Sequence, residues 1–281
     1  MNESSTNQAP ELAPPPPADS WQRWAYDYVL SDQLTHKLAP PPLPSARGAL
    51  RASLRLTRPA RPAELCTTWD KYKAPKSAHA LQSPQKRAHL LHTFLHHELQ
   101  AAELMCWALL AFPDTPDAFA RGLLGICQDE IRHMQQYRAA LLRLGHDVGD
   151  FPVRDWFWER APKAQTAAQF LALMGLGFEA GNLDHTERFE AMFAAAGDAE
   201  SAALLRVVGE EEVQHVAFAA HWFGTFCGAL EFDAWSAQLP APLSPMLMRG
   251  RPLAHARRVR AGMSATFLER LEAWQPASPG G

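Results

Sequence analysis

The sequence predicts an all-α fold. Two Ile and eight Val in 281 residues leave little material for a sheet, while Ala, Leu, Glu, Gln and Arg fill the long segments. β-branched residues are the ones that favour strands, and the residues enriched here favour helices. Apolar residues also recur at helical spacing along four long stretches, with Pro and Gly falling between them. Hydrophobic content of 47% with 20% charged residues places the chain in the globular class.

The elements follow in order. Residues 1–20, with consecutive prolines at Pro14 to Pro17, read as a disordered Pro-rich tail. Residues 21–82 read as an N-terminal extension packing on a helical bundle. Within it Trp21–Leu38 forms a helix that Pro40-Pro41-Pro42 ends. Arg47, Arg51, Arg55, Arg58 and Arg61 then cluster. They are read as an arm docked on acidic helices, with a phosphate- or RNA-binding arm as the second reading. The bundle spans residues 83–229. Its first helix is Ser83–Phe112. The second is Asp117–Leu144, with Thr115 as its cap, Pro116 in its first turn and Gly145 as its stop. The third is Thr166–Ala196, ending at Gly197, and Asp198 caps the fourth, Ala199–Gly228. Pro240, Pro242 and Pro245 mark a loop. One amphipathic helix, Leu253–Trp274, forms an extra C-terminal helix in an extension over 230–275.

The connector Gly145–Gln165 constrains topology. A helix of about 30 residues is roughly 45 Å long, and about 21 extended residues reach roughly 69 Å. The third helix can therefore start at the far end of the bundle. Short loop, long crossover between helices 2 and 3, short loop is the connectivity of ferritin-like four-helix bundles. Phe151, Trp156, Phe157 and Trp158 in the connector are read as pinning it to the bundle, with lining of an entrance as the second reading.

Charge and cysteine usage narrow the class. A formal net charge of −3, from 27 basic and 30 acidic residues, argues against a generic nucleic-acid binder or a polybasic membrane anchor. No apolar run is long enough for a spanning helix, and the N-terminus lacks the pattern of a secretory signal. Cys66, Cys106, Cys127 and Cys227 are far apart and form no CxxC, so a reducing, cytoplasmic setting is expected.

Carboxylates interrupt the apolar stripes. Glu98 shares a face with Leu91, Phe94, Leu95, Ala102, Met105 and Leu109. Glu130 and His133 lie among Leu123, Ile126, Cys127, Met134 and Tyr137. Glu179 sits with Leu176 and Leu183, and Glu212 and His215 with Leu205, Val208, Val216 and Ala219. A carboxylate on a core-facing stripe is costly unless paired, protonated or metal-bound. Glu130-Ile131-Arg132-His133 and Glu212-Val213-Gln214-His215 are both Glu-x-x-His, which puts two ligand groups on one helix face. Each follows a lone Glu by 32 or 33 residues, so the chain repeats one helix pair twice. Four Glu and two His arranged in this way form a dimetal-carboxylate site. Four carboxylates neutralise two divalent cations, and an O/N ligand set suits iron or manganese. A bundle of buried acids that binds nothing is the competing reading, weakened by the lack of arginine at that level.

His97-Glu98 to Leu104, Asp129 to His133, Glu179 to His185 and Glu211 to Val216 resemble an uncharacterised bacterial family within the ferritin-like superfamily. The resemblance covers about residues 20–275, and a tRNA-hydroxylase branch of the superfamily looks like a distant relative. It implies Glu98, Glu130, His133, Glu179, Glu212 and His215 as metal ligands. The family motif commonly reads Asp-Glu where this chain has Glu211-Glu212, and the longer Glu211 leaves open which acid binds metal. The superfamily implies oxidation or hydroxylation with O2, radical generation, peroxide reduction or iron storage.

The expected function is an O2-dependent oxidase or hydroxylase of a small organic substrate. It would carry two Fe ions (or Mn/Fe, or Mn/Mn) bridged by Glu130 and Glu212, and would draw on an electron donor. The alternatives are a non-catalytic iron or manganese store and a tRNA-modifying oxygenase using the arginine arm. A monomer or homodimer without membrane attachment is expected. Asp129 and Glu211 are read as acceptors for the second ring N–H of the ligand histidines, and Asp184 and Glu103 as further supporting acids or rim acids. Tyr137, one turn beyond His133, is a candidate catalytic residue beside its reading as a core tyrosine. His89, His92 and His96 are read as a half-exposed polar face, and Met134 and Met174 as core.

Overall fold

Ser20 opens the first helix. Its hydroxyl accepts a hydrogen bond from the Arg23 N–H, and α1 runs Trp21–Leu30. The computed structural model describes residues 14–48 and 52–276. Residues 1–13 of the expected tail and Arg51 of the arginine cluster therefore lie outside the described residues. The single helix expected over Trp21–Leu38 is broken. Ser31 is extended and its Oγ accepts the Gln33 N–H, so a local side-chain bond replaces the helical one. A short α2 (Leu34–Leu38) follows.

Four long helical stretches make the bundle. They are α3 (Pro84–Ala111), α4 (Asp117–Arg143), the composite of α5 (Ala167–Leu173), a π-helical segment (Met174–Glu179) and α6 (Ala180–Ala195), and α7 (Ala199–Cys227). Ser83, Thr166 and Asp198 cap with their side-chain oxygens, as Ser, Thr and Asp do at helix N-termini. Thr115 does not. Its hydroxyl donates to the Phe112 carbonyl, and Pro116 stands at the cap position of α4.

The ends of the helices establish the topology. Arg143 at the end of α4 and Arg87 near the start of α3 both reach Asp198 at the start of α7, at 3.0 and 3.3 Å. At the opposite end Phe112 lies 6.3 Å from Phe170, and Phe119 lies 5.4 Å from Phe226, between ring centroids. The connector after α4 thus travels the length of the bundle, and α5–α6 runs parallel to α4.

Both extensions dock on this frame. Arg47 donates to the Thr115 and Pro113 carbonyls and pairs with Asp117. Arg55 donates to the carbonyls of Pro162 and Ala164 and lies over the Trp107 ring. Arg61 pairs with Glu103 and Asp155. The arm and the crossover also join through an isolated parallel bridge between Thr67 and Val153. After α7 come α8 (Phe232–Ala237), α9 (His255–Arg260) and α10 (Ala265–Ala273). The single C-terminal helix expected over Leu253–Trp274 is therefore two helices. They turn at Gly262, whose φ of 96° is a left-handed conformation that glycine adopts freely. Among the described residues no helix is long and apolar enough to cross a membrane.

Candidate metal centre

Each long helical stretch delivers one carboxylate to the middle of the bundle. Glu98, Glu130, Glu179 and Glu212 are all 4% exposed or less. The i, i+3 spacing brings His133 and His215 onto the faces of Glu130 and Glu212. His133 Nδ1 lies 3.2 Å from Glu130 Oε2, and 3.8 Å from both Glu98 Oε2 and Glu212 Oε1. His215 Nδ1 lies 3.1 Å from Glu212 Oε2 and 3.2 Å from Glu130 Oε1. Potential ligand atoms of Glu98, Glu130, His133 and Glu212 fall within 4.8 Å of one another. Glu179 lies outside that tightest group, but its carboxyl feels Glu212, Glu130 and Glu98 electrostatically, and its Oε1 makes no hydrogen bond.

Local structure places Glu179. It ends the π-helical segment, where one widened turn resets the helical register. A Cβ on Gly175 would stand 2.2 Å from the Ala219 Cβ. Only glycine lets this segment approach α7 so closely.

Electrostatics define what the cluster accepts. Among the described residues, none of the four carboxylates pairs with Lys or Arg; their ionic neighbours are the two histidines. Burial, reinforced by Glu130, raises Glu98 well above the usual carboxylate range, and burial with Glu212 does the same for Glu179. Burial alone would lower both histidines. The facing carboxylates override it, pushing His133 up to about 12 and His215 well above its usual range. Without metal the surroundings therefore favour the protonated forms of Glu98, Glu179 and both histidines, and divalent cations would compete with those protons. Glu130 Oε1, like Glu179 Oε1, makes no hydrogen bond. Buried carboxylate oxygens beside inward-facing ring nitrogens are an O/N donor set that fits iron or manganese.

The outer nitrogens of both rings are held. His133 Nε2 lies 2.7 Å from Glu211 Oε2, and His215 Nε2 lies 3.3 Å from Asp129 Oδ2. Arg132 bridges those two acids at 2.7 Å each. Glu211 therefore faces a histidine's outer edge while Glu212 faces the cluster. Asn182 donates to Glu212 Oε1 at 3.2 Å. The sequence reading missed it, although it lies one turn beyond Glu179.

Two expected supporting acids are elsewhere. Glu103 accepts from Lys37, Arg61 and Trp158, and Asp184 accepts from Arg258 and from the Gly250 and Ala254 N–H groups. Cations and amides of the two extensions captured them. Of the histidine stripe expected to be half-exposed, His89 is partly exposed but His92 and His96 are buried. The crossover packs on the stripe: His96 bonds Asp155, His92 accepts from the Gly149 N–H, and His89 stacks on Phe151. Tyr137 is buried, and burial followed by the charges of Glu98, Glu212 and Glu130 raises its hydroxyl pKa. Met134 and Met174 are buried in the core. Cys106 and Cys127, far apart in sequence, meet with their sulfurs 3.5 Å apart between α3 and α4.

A chamber of about 220 Å³ opens against Glu98 and Glu179. Trp156 and Phe157 of the crossover line it, whereas Phe151 and Trp158 are buried in contacts that hold the crossover down. His97 lines it too, held neutral because burial and then its neighbours His96 and His185 push its pKa down to about 3.

No curated protein and no solved structure matches the chain. The family model described as a protein of unknown function (DUF455) matches residues 21–269, from the first residue of α1 into α10, and the chain belongs to that family.

Proposed function

We propose that this protein is a ferritin-like dimetal-carboxylate oxidase or hydroxylase acting on a small organic substrate with O2. One observation carries the reading: four buried carboxylates, with no Lys or Arg partner among the described residues, converge at the bundle centre, and three of them, Glu98, Glu130 and Glu212, lie within 3.8 Å of the inner nitrogens of two histidines whose outer nitrogens are held by acids. Glu98, Glu130, His133, Glu179, Glu212 and His215 would hold the ions. Iron or manganese bound there supplies redox chemistry with O2. The chain's own residues do the rest. Glu211 and Asp129 orient the rings. Asn182 orients Glu212. Trp156, Phe157 and Phe178 exclude water from the chamber that touches Glu98 and Glu179.

That chamber favours an enzyme over an iron or manganese store, since storage needs no space for an organic molecule beside the ligands. The reading as a tRNA-modifying oxygenase is weakened: Arg47, Arg55 and Arg61 of its arm are engaged by the bundle and the crossover, while Arg58 is exposed.

The test is metal content after anaerobic Fe(II) loading and desalting. The expected result is about two ions per chain, and nearly none in Glu130→Ala/Glu212→Ala. Near zero in the wild type with iron, and again with manganese, sinks the proposal. With metal bound, O2 uptake that rises with an electron donor separates catalysis from storage.

A further inference from the structure

A larger cavity, of about 650 Å³, adjoins the inner chamber, and the two share His97, Trp156, Asn182 and His185 in their walls. That volume suits a small-molecule ligand. Its wall pairs apolar surface with unmatched positive charge. Phe94 and Phe189 supply the apolar side. Arg188 of α6 lies with its guanidinium 4.3 Å from the centroid of the Phe189 ring, forms no ion pair among the described residues, and keeps its buried Nε without a hydrogen bond. The other arginine of the wall, Arg154, is already engaged by Glu159 at 2.7 Å. Lys71 and Lys73 add exposed positive charge against a single acid, Asp70.

We propose that this cavity binds an organic acid, with its carboxylate on Arg188 and an extended apolar body leading toward the inner chamber. A guanidinium fork left unpaired in a partly buried wall matches a carboxylate in shape and charge. The levels of Arg188 and Glu179 are nine residues apart on α6 and its π-helical start, roughly 14 Å along the axis. The body must therefore be an alkyl or aryl-alkyl chain, anchored at one end while its far carbons approach Glu98 and Glu179. This inference deepens the oxidase reading by naming its substrate class, and the acid-binding half can be tested apart from the metal.

The probes are decanoate and phenylbutyrate, each against its primary amide, with acetate as the short acid. Calorimetric titration into the full chain is expected to show one site, with each long acid binding at least about tenfold more tightly than its amide. Arg188→Gln should cost the acids about tenfold and leave the amides unchanged, and Arg188→Lys should recover part of the loss. Equal binding of acids and amides, unchanged acid binding in Arg188→Gln, acetate binding as well as decanoate, or no acid binding at millimolar concentration would each overturn the proposal. Bound iron is counted on the same samples. Full metal in Arg188→Gln beside lost acid binding supports the site. Arg188-dependent acid binding in a wild type that takes up no metal keeps the acid site and defeats the oxidase reading alone.

Discussion

Glu98 and Glu179 each have an acid five residues later, and both of those acids do the same kind of work. Glu103 ties down the N-terminal extension through Lys37 and Arg61, and Asp184 ties down the C-terminal extension through Arg258. The residues just before the Glu-x-x-His motifs are also equivalent, since Asp129 holds the histidine of one motif and Glu211 that of the other. The two-fold pattern in the sequence is thus a two-fold pattern of side-chain contacts. Glu211→Gln or Asp129→Asn should weaken metal affinity about 10–100-fold without abolishing the site, as competition against a chelator would measure. Metal binding should also release protons, because the metal-free cluster favours the protonated forms of Glu98, Glu179 and both histidines. Affinity should then rise with pH. Calorimetry in buffers of different ionisation enthalpy reads that release, and an apparent enthalpy independent of buffer would contradict it.

At the scale of elements, Glu103 is where three segments meet: α2 through Lys37, the arm through Arg61 and the crossover through Trp158. Lys37 and Glu103 side chains are fully buried. Removing one partner of such a pair leaves an uncompensated buried charge, so Glu103→Ala should destabilise the protein by about 3–5 kcal/mol. Urea unfolding would show it as a lower midpoint. The exposed pair Arg23–Asp27 should contribute less than about 1 kcal/mol. The π-helical segment is equally specific. Gly175→Val would push α7 away at Ala219, and the expected outcome is loss of metal retention with helical content preserved in circular dichroism.

For the whole molecule, the two extensions and the crossover wrap a bundle whose centre repels itself when its acids ionise. Metal should raise the melting temperature by ordinary ligand linkage; equal melting with and without saturating Fe(II) or Mn(II) would count against the site. Acid should loosen the wrapping. Burial opposes ionisation of Glu103 and Asp155, but Arg61 and Lys37 hold Glu103 down, and hydrogen bonds from His96 and Arg61 hold Asp155 down. Their contribution is present above the ordinary values of 4.5 and 3.8 and is lost as pH falls through the depressed folded values. Burial lowers His96 from 6.5, so the fold also loses stability below that pH, where the unfolded chain takes up a proton the folded one refuses. The melting difference between wild type and Glu103→Gln should therefore shrink as pH drops from about 7 to about 3.

The sequence by itself determined the helical class, the long crossover and the six candidate ligands, because helical period and i, i+3 spacing are local properties that survive any packing. It also determined where the bundle helices end to within a residue or two, since caps and stops are local. What neighbours across the fold do was decided by tertiary structure. Glu103 and Asp184 look like site acids until Lys37, Arg61 and Arg258 arrive from distant segments. His92 and His96 look half-exposed until the crossover buries them, while His89 stays partly open. Cys106 and Cys127 look unrelated until α3 and α4 pack. The π-helical turn before Glu179 and Arg188, which has no ion pair among the described residues, belong to the same kind. Burial and pairing depend on partners far along the chain, and no local pattern encodes those partners.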